Sequence, residues 1–164
     1  MDLGEFQKQV VKTREEVLKD KNFDLHHELM TMCAGMCEES GEALGRISQK
    51  LNGSCLFDHQ AYLLDLANCL IYLTMLAHYK DIELTSKSLK EQTYSASQSL
   101  FEIGFVLCSE CAELGLMTVD NGLPDTWKYD VLAILHAIQD CLGHLDIKSS
   151  MEEIMLLVSE ELTN

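Results

Sequence analysis

Cys37-Glu38-Glu39-Ser40-Gly41-Glu42-Ala43-Leu44-Gly45 sets acids among small and apolar residues at helical rather than alternating spacing. Glu39 and Glu42 stand three apart, and Glu38 and Glu42 four apart, so all three carboxylates belong to one side of a helix. Outward from this stretch, apolar positions recur at three and four along the whole chain. Leu, Met, Glu, Ala and Lys dominate, and the one proline, Pro124, and scarce β-branched runs argue against sheet. The expected fold is an all-α helical bundle.

The spacing predicts a first helix over about Leu3 to Lys19, ending at Asp20-Lys21-Asn22. Asp24 is positioned to cap a long second helix reaching Asn52, with Gly53 as its stop. Asp58 is positioned to cap a third reaching Lys80, after a loop holding Ser54, Cys55 and Phe57. A fourth is expected over about Thr85 to Thr118 with a kink near Gly104, then a loop at Asp120-Asn121-Gly122-Leu123-Pro124. A fifth covers about Thr126 to Leu145. A sixth starts near Ser149, where Ser149-Ser150-Met151-Glu152 has the form of a capping box.

Length and charge narrow the function. The 164 residues suffice for one domain, 1–164, or for two small fused repeats. The net charge is -15, and the 12 Lys and Arg residues form no cluster, which disfavours nucleic acid as a partner. An acidic chain still binds a polyphosphate if divalent cations bridge the two. Neither a secretory leader nor a membrane-length uninterrupted apolar run is apparent, and seven cysteines in a helical chain fit reduced thiols. A cytoplasmic protein without membrane partners is the expectation.

The chain also echoes itself. Cys37 to Gly45 lines up with Cys108-Ser109-Glu110-Cys111-Ala112-Glu113-Leu114-Gly115, and Asp65-Leu66-Ala67-Asn68 with Val131-Leu132-Ala133-Ile134. Two degenerate repeats, about 24–84 and 95–147, are expected to share one core. In the second, Glu110 and Glu113 face two hydrocarbons, Val131 and Ile134, and make no metal site.

Asp65 and Asn68, three apart, interrupt the apolar third helix. Polar groups there are costly unless paired or liganded. From composition alone, a solvated acidic face and satisfied helix polars account for all five residues. However, Glu38-Glu39-Ser40-Gly41-Glu42 on one helix followed by Asp65-Leu66-Ala67-Asn68 on an apolar helix resembles the Glu-Glu-x-x-Glu and Glu-x-x-Asp motifs of the MazG-like all-α nucleotide pyrophosphohydrolases, relatives of the dimeric dUTPases, with a shortened acid and an amide in the second. Glu5-Phe6-Gln7-Lys8 resembles that family's opening helix. Leu70-Ile71-Tyr72-Leu73, Leu76-Ala77 and Asp81-Ile82-Glu83-Leu84 resemble the tail of its third. The resemblance covers about Leu3 to Leu89.

It implies Mg²⁺-dependent hydrolysis of a nucleoside triphosphate to the monophosphate and pyrophosphate. Glu39, Glu42, Asp65 and Asn68 match the metal ligands, and Glu38 matches an additional Glu acting as ligand or base. It also makes a second copy of the chain a candidate partner, as a homodimer, or makes the two repeats a single-chain counterpart of the family dimer. Asp65 is one methylene shorter than the family's Glu, and Asn68 brings no charge. The alternative is therefore a catalytically impaired member that binds nucleotide or a protein partner. The family's downstream phosphate-binding stretch corresponds to Lys87-Ser88-Leu89-Lys90-Glu91-Gln92 only loosely.

Other constellations carry less. Cys108-x-x-Cys111 and the pair Cys33 and Cys37 place four thiols on equivalent helices, where buried apolar cysteines are the simpler reading than zinc. Adjacent His26 and His27 point to different faces. Trp127 and Tyr62 at helical spacing read as core before they read as nucleobase platforms.

Overall fold

The computed structural model describes residues 1–19, 24–53, 57–89, 99–121, 127–144 and 150–163. These form six α-helices: α1 (Leu3–Leu18), α2 (Leu25–Leu51), α3 (His59–Tyr79), α4 (Leu100–Asn121), α5 (Trp127–Gly143) and α6 (Met151–Thr163). No strand occurs among the described residues, so the all-α reading holds.

Side-chain oxygens fix the helix starts by satisfying amides that have no partner within the helix. Asp2 Oδ1 accepts from the Glu5 amide at 2.8 Å, and Glu5 answers to the Asp2 amide at 3.0 Å. Asp24 accepts from His26 and His27 at the head of α2, and Asp58 from Ala61 at the head of α3. Both match the expected caps. Gly53, just past α2, has φ +68, where a Cβ would be strained.

Three boundaries differ from expectation. The proposed helix from Thr85 is a single 3₁₀ turn, Ser86–Ser88, and α4 begins at Leu100. The Ser88 hydroxyl accepts from the Thr85 amide, and its carbonyl lies 3.0 Å from His136 Nε2, so local hydroxyls and a tertiary contact displace helix there. Ser99 and Glu102 form a reciprocal capping box that starts α4. No break occurs at Gly104, which serves packing: a Cβ there would come within 2.6 Å of Ile47 Cδ1. Asp120 and Asn121 continue α4 instead of opening a loop. At α6 the cap is Ser150, whose hydroxyl accepts from Glu153, one residue later than expected. The predicted breaks at 20–22, 54–55 and 122–124, the cap Ser149, and positions 90–92 lie outside the described residues.

α2 is the central element, packed most extensively on α4 and α3; α5 closes the ring against α3 and α4. α1 and α6 lie on α3, which buries it on most sides. α3 is long and apolar enough to cross a membrane by length and composition, yet most of it is core. Tyr62, Leu66, Leu70 and Leu73 of α3 meet Met36 and Ile47 of α2, Leu107 and Leu114 of α4, and Val131, Ile134 and Ile138 of α5 in one buried cluster that also takes in α1 and α6.

Both neighbours run antiparallel to α2. Along α3, Arg46 meets Asp65, the Met36 carbonyl meets Cys69, and Gly35 meets Tyr72. Along α4, Ile47 meets Gly104, the Ser40 carbonyl meets Cys108, and Cys33 meets Thr118. Gly35 is required at its crossing, since a Cβ there would stand 2.5 Å from the Tyr72 ring.

Candidate functional site

The antiparallel α2–α3 seam places the sequence-predicted residues opposite one another. Asp65 is buried on α3, its carboxylate facing α2. From α2, half-buried Glu39 and exposed Glu42 project toward it. One carboxylate oxygen from each of Glu39, Glu42 and Asp65 lies within 4.8 Å of the others. Asn68, one turn beyond Asp65, hydrogen-bonds the Glu39 side chain. Four of the five predicted residues thus share one face. Glu38 stands apart, exposed and on the side of Tyr72, close enough to act on Glu39 and Tyr72 through its charge.

The seam also contains a residue that the sequence reading passed over. Arg46 Nε donates to Asp65 Oδ2 at 2.5 Å and Nη2 to Asp65 Oδ1 at 3.4 Å, a two-pronged pair. Its Nη2 is also 3.5 Å from Glu42 Oε2. Glu39, Glu42 and Arg46 are spaced i, i+3, i+7, so their common face was readable. That the guanidinium reaches across to the next helix depends on the α2–α3 crossing.

The cluster's electrostatics follow from burial and crowding. Burial pushes the Glu39 carboxyl above its usual range, and the Asn68 hydrogen bond pulls it back. The charges of Asp65, Glu42 and Glu38 push it up again. Burial likewise raises Asp65, against which Arg46 acts by hydrogen bond and by charge, while Glu42 and Asp58 add to the rise. One guanidinium faces the charges of Asp65, Glu42 and Asp58, with Glu39 beside them, so the acids outnumber the base.

This donor set fits a hard divalent cation. Mg²⁺ takes oxygen ligands at about 2.1 Å, which sets opposed ligands about 4.2 Å apart. Adjacent ligands stand about 3.0 Å apart and three ligands include at most one opposed pair, so oxygens within 4.8 Å of one another would draw inward around an ion. Glu39, Glu42 and Asp65 would hold the ion; the Asn68 amide, in its present orientation, supports Glu39.

The second half lacks this arrangement. Glu110 is half-buried and Glu113 exposed, while Val131 and Ile134 are fully buried in the core. Asp130, which the alignment overlooked, is near enough to Glu113 for the two charges to interact. Its Oδ2 is buried without a hydrogen-bond partner.

The cysteines do not gather into a metal site among the described residues. Cys33, Cys69, Cys111 and Cys141 are buried, and Cys108 is half-buried, donating to the Ser40 carbonyl at 3.0 Å. Burial raises every one of these thiols, Cys111 to about 12. Cys37 alone among the described cysteines is exposed. Tyr62 and Trp127 are core residues, and the Tyr62 hydroxyl donates to the Cys141 carbonyl. His26 and His27 are exposed at the start of α2.

No family model, curated protein or solved structure matches the chain. The functional reading therefore rests on the site itself and on the resemblance of its two short motifs.

Proposed function

We propose that the α2–α3 cluster is a Mg²⁺ site and that the protein hydrolyses a nucleoside triphosphate to the monophosphate and pyrophosphate, in the manner of the MazG-like enzymes. The observation that carries this is the convergence of Glu39, Glu42 and Asp65 oxygens from two helices within 4.8 Å. Carboxylates crowd in this way at a cost that a divalent cation relieves. When bound, the metal would supply Lewis-acid stabilisation of the polyphosphate and acidify the attacking water.

This chain's residues have separable tasks in that reaction. Glu39, Glu42 and Asp65 bind the ion, and Asn68 keeps the Glu39 carboxylate turned toward the cluster. Glu38, exposed at its edge, accepts the proton of the water whose oxygen attacks the α-phosphorus. The bond from that phosphorus to the bridging oxygen breaks, and pyrophosphate leaves. The second half serves as scaffold. Its descent from a duplicated α2–α3 unit is supported by the antiparallel α2–α4 crossing, in which Ser40 meets Cys108 close to the aligned pair Glu39 and Glu110.

A panel of nucleoside triphosphates with Mg²⁺ and a pyrophosphate readout tests the proposal. Wild type should release pyrophosphate, and Glu39→Gln should lose turnover while keeping its helical circular dichroism. Silence of the wild type at saturating Mg²⁺ would refute the hydrolase reading. The Arg46–Asp65 pair and the uncharged Asn68 favour a second reading, a nucleotide-binding module with impaired catalysis. It predicts a nucleotide-dependent rise in Tm without pyrophosphate release.

A further inference from the structure

Resting on the metal-site reading, the inference concerns how the cluster remains stable before a metal arrives. Removing one partner of a buried ion pair leaves a charge without compensation, so Asp65, with a side chain only 5 % exposed, needs a cation. Arg46 is that cation. It engages both Asp65 oxygens and lies against Glu42, two of the three carboxylates that converge. A divalent ion on those oxygens and a guanidinium on the same carboxylate would repel at close range, in a site only partly open to water.

We propose that Arg46 is the built-in counter-cation of the cluster and that a divalent metal enters in exchange for it. The guanidinium has somewhere to go. Glu42 acts on it through its charge, as does Asp58, the cap of α3 about two helical turns before Asp65. Arg46 is 27 % exposed on its side chain, on a long flexible stem, so withdrawal from Asp65 requires no rearrangement of the core. In the free protein the pair holds Asp65 in place. In the metal-bound protein Asp65 turns its charge to the ion, and Arg46 remains near Glu42 and Asp58 at the mouth of the site. Arg46 thereby sets the metal affinity of the site without being a ligand.

Calorimetric titration of Mg²⁺ and Mn²⁺ into wild type and Arg46→Gln tests the exchange. Removal of the competitor should tighten metal binding about tenfold, within the usual range of coupling between two bound species. Equal affinities in the two folded proteins would overturn the exchange and leave the metal site standing. Absence of metal binding in both would overturn the metal-site reading, and this inference with it. The wild-type protein gives a second test that needs no variant. The Arg46 Nε–H resonance, hydrogen-bonded to Asp65, should shift as Mg²⁺ saturates the protein. A resonance unmoved at saturation would show that the pair survives metal binding, contrary to the proposal.

Discussion

Gln7, buried on α1, turns its amide chiefly to the chain segment that follows α3, with a longer contact of 3.5 Å from Nε2 to the Thr74 carbonyl of α3. Its Nε2 donates to the Ile82 carbonyl at 2.9 Å, and its Oε1 accepts from the Leu84 amide at 2.9 Å. These backbone groups have no helix to satisfy them, and the side chain substitutes for one. Gln7→Ala should destabilise by about 2–3 kcal/mol in urea unfolding, the cost of leaving buried polar groups unpaired. A change within 0.5 kcal/mol, the usual scatter of surface substitutions, would mean that water replaces the amide. Asp130 presents the opposite case. Burial, and then the Glu113 charge, raise its carboxyl above the ordinary range. The folded state thus holds its proton more tightly than the unfolded state. Stability contributed at low pH is lost as pH rises from the ordinary Asp value through the raised one. Asp130→Asn should accordingly raise Tm at neutral pH, and the gain should vanish toward ~pH 4, where wild-type Asp130 is substantially protonated. A gain that persists in acid would assign the effect to something other than charge.

At the scale of elements, the seams beside α2 depend on missing side chains as much as on present ones. Gly35→Ala adds about 1 kcal/mol of helix propensity. It also drives a methyl into the Tyr72 ring, 2.5 Å from the Cβ position, and overpacking of this kind costs about 1–3 kcal/mol. The net effect in wild type should be destabilising. In a Tyr72→Ala background the same substitution should stabilise, and a double-mutant cycle measures the reversal. Additive effects would disprove the packing account. The elements also show where sequence is informative. Asp24, Asp58 and Gly53 announce helix ends because a cap is a local event. Ser99-x-x-Glu102 is equally local, but a helix drawn from Thr85 places it inside the element instead of at its start. The 3₁₀ turn at Ser86–Ser88 is different, since His136 and the path held by Gln7 lie far away in sequence. The spacing of Glu39 with Glu42, and of Asp65 with Asn68, gave the cluster's members. Arg46 escaped because a Glu–Arg i, i+4 pair on a helix is ordinarily a surface contact, and only the crossing angle turns it inward.

For the whole molecule, a net charge of -15 opposes compactness wherever acids face one another. Added monovalent salt screens such repulsion over a Debye length of about 8 Å at physiological strength. Tm should therefore rise with NaCl, and it should do so in Glu39→Gln as in wild type. Mg²⁺ at matched ionic strength should add a further increment only where the cluster is intact. A Tm that is flat or falling in NaCl would show that the acids are already compensated by local pairs such as Arg14–Glu28, at 2.7 Å.

The distribution of thiols gives this architecture a practical consequence. Burial raises the Cys37 thiol as it does the others, but helix packing shields the other described cysteines while Cys37 is exposed immediately before Glu38. A maleimide dye or nitroxide at limiting reagent should therefore attach chiefly there among those cysteines. The chain supplies its own attachment point for an optical or paramagnetic reporter, two residues before Glu39 of the acidic cluster and without any engineered change.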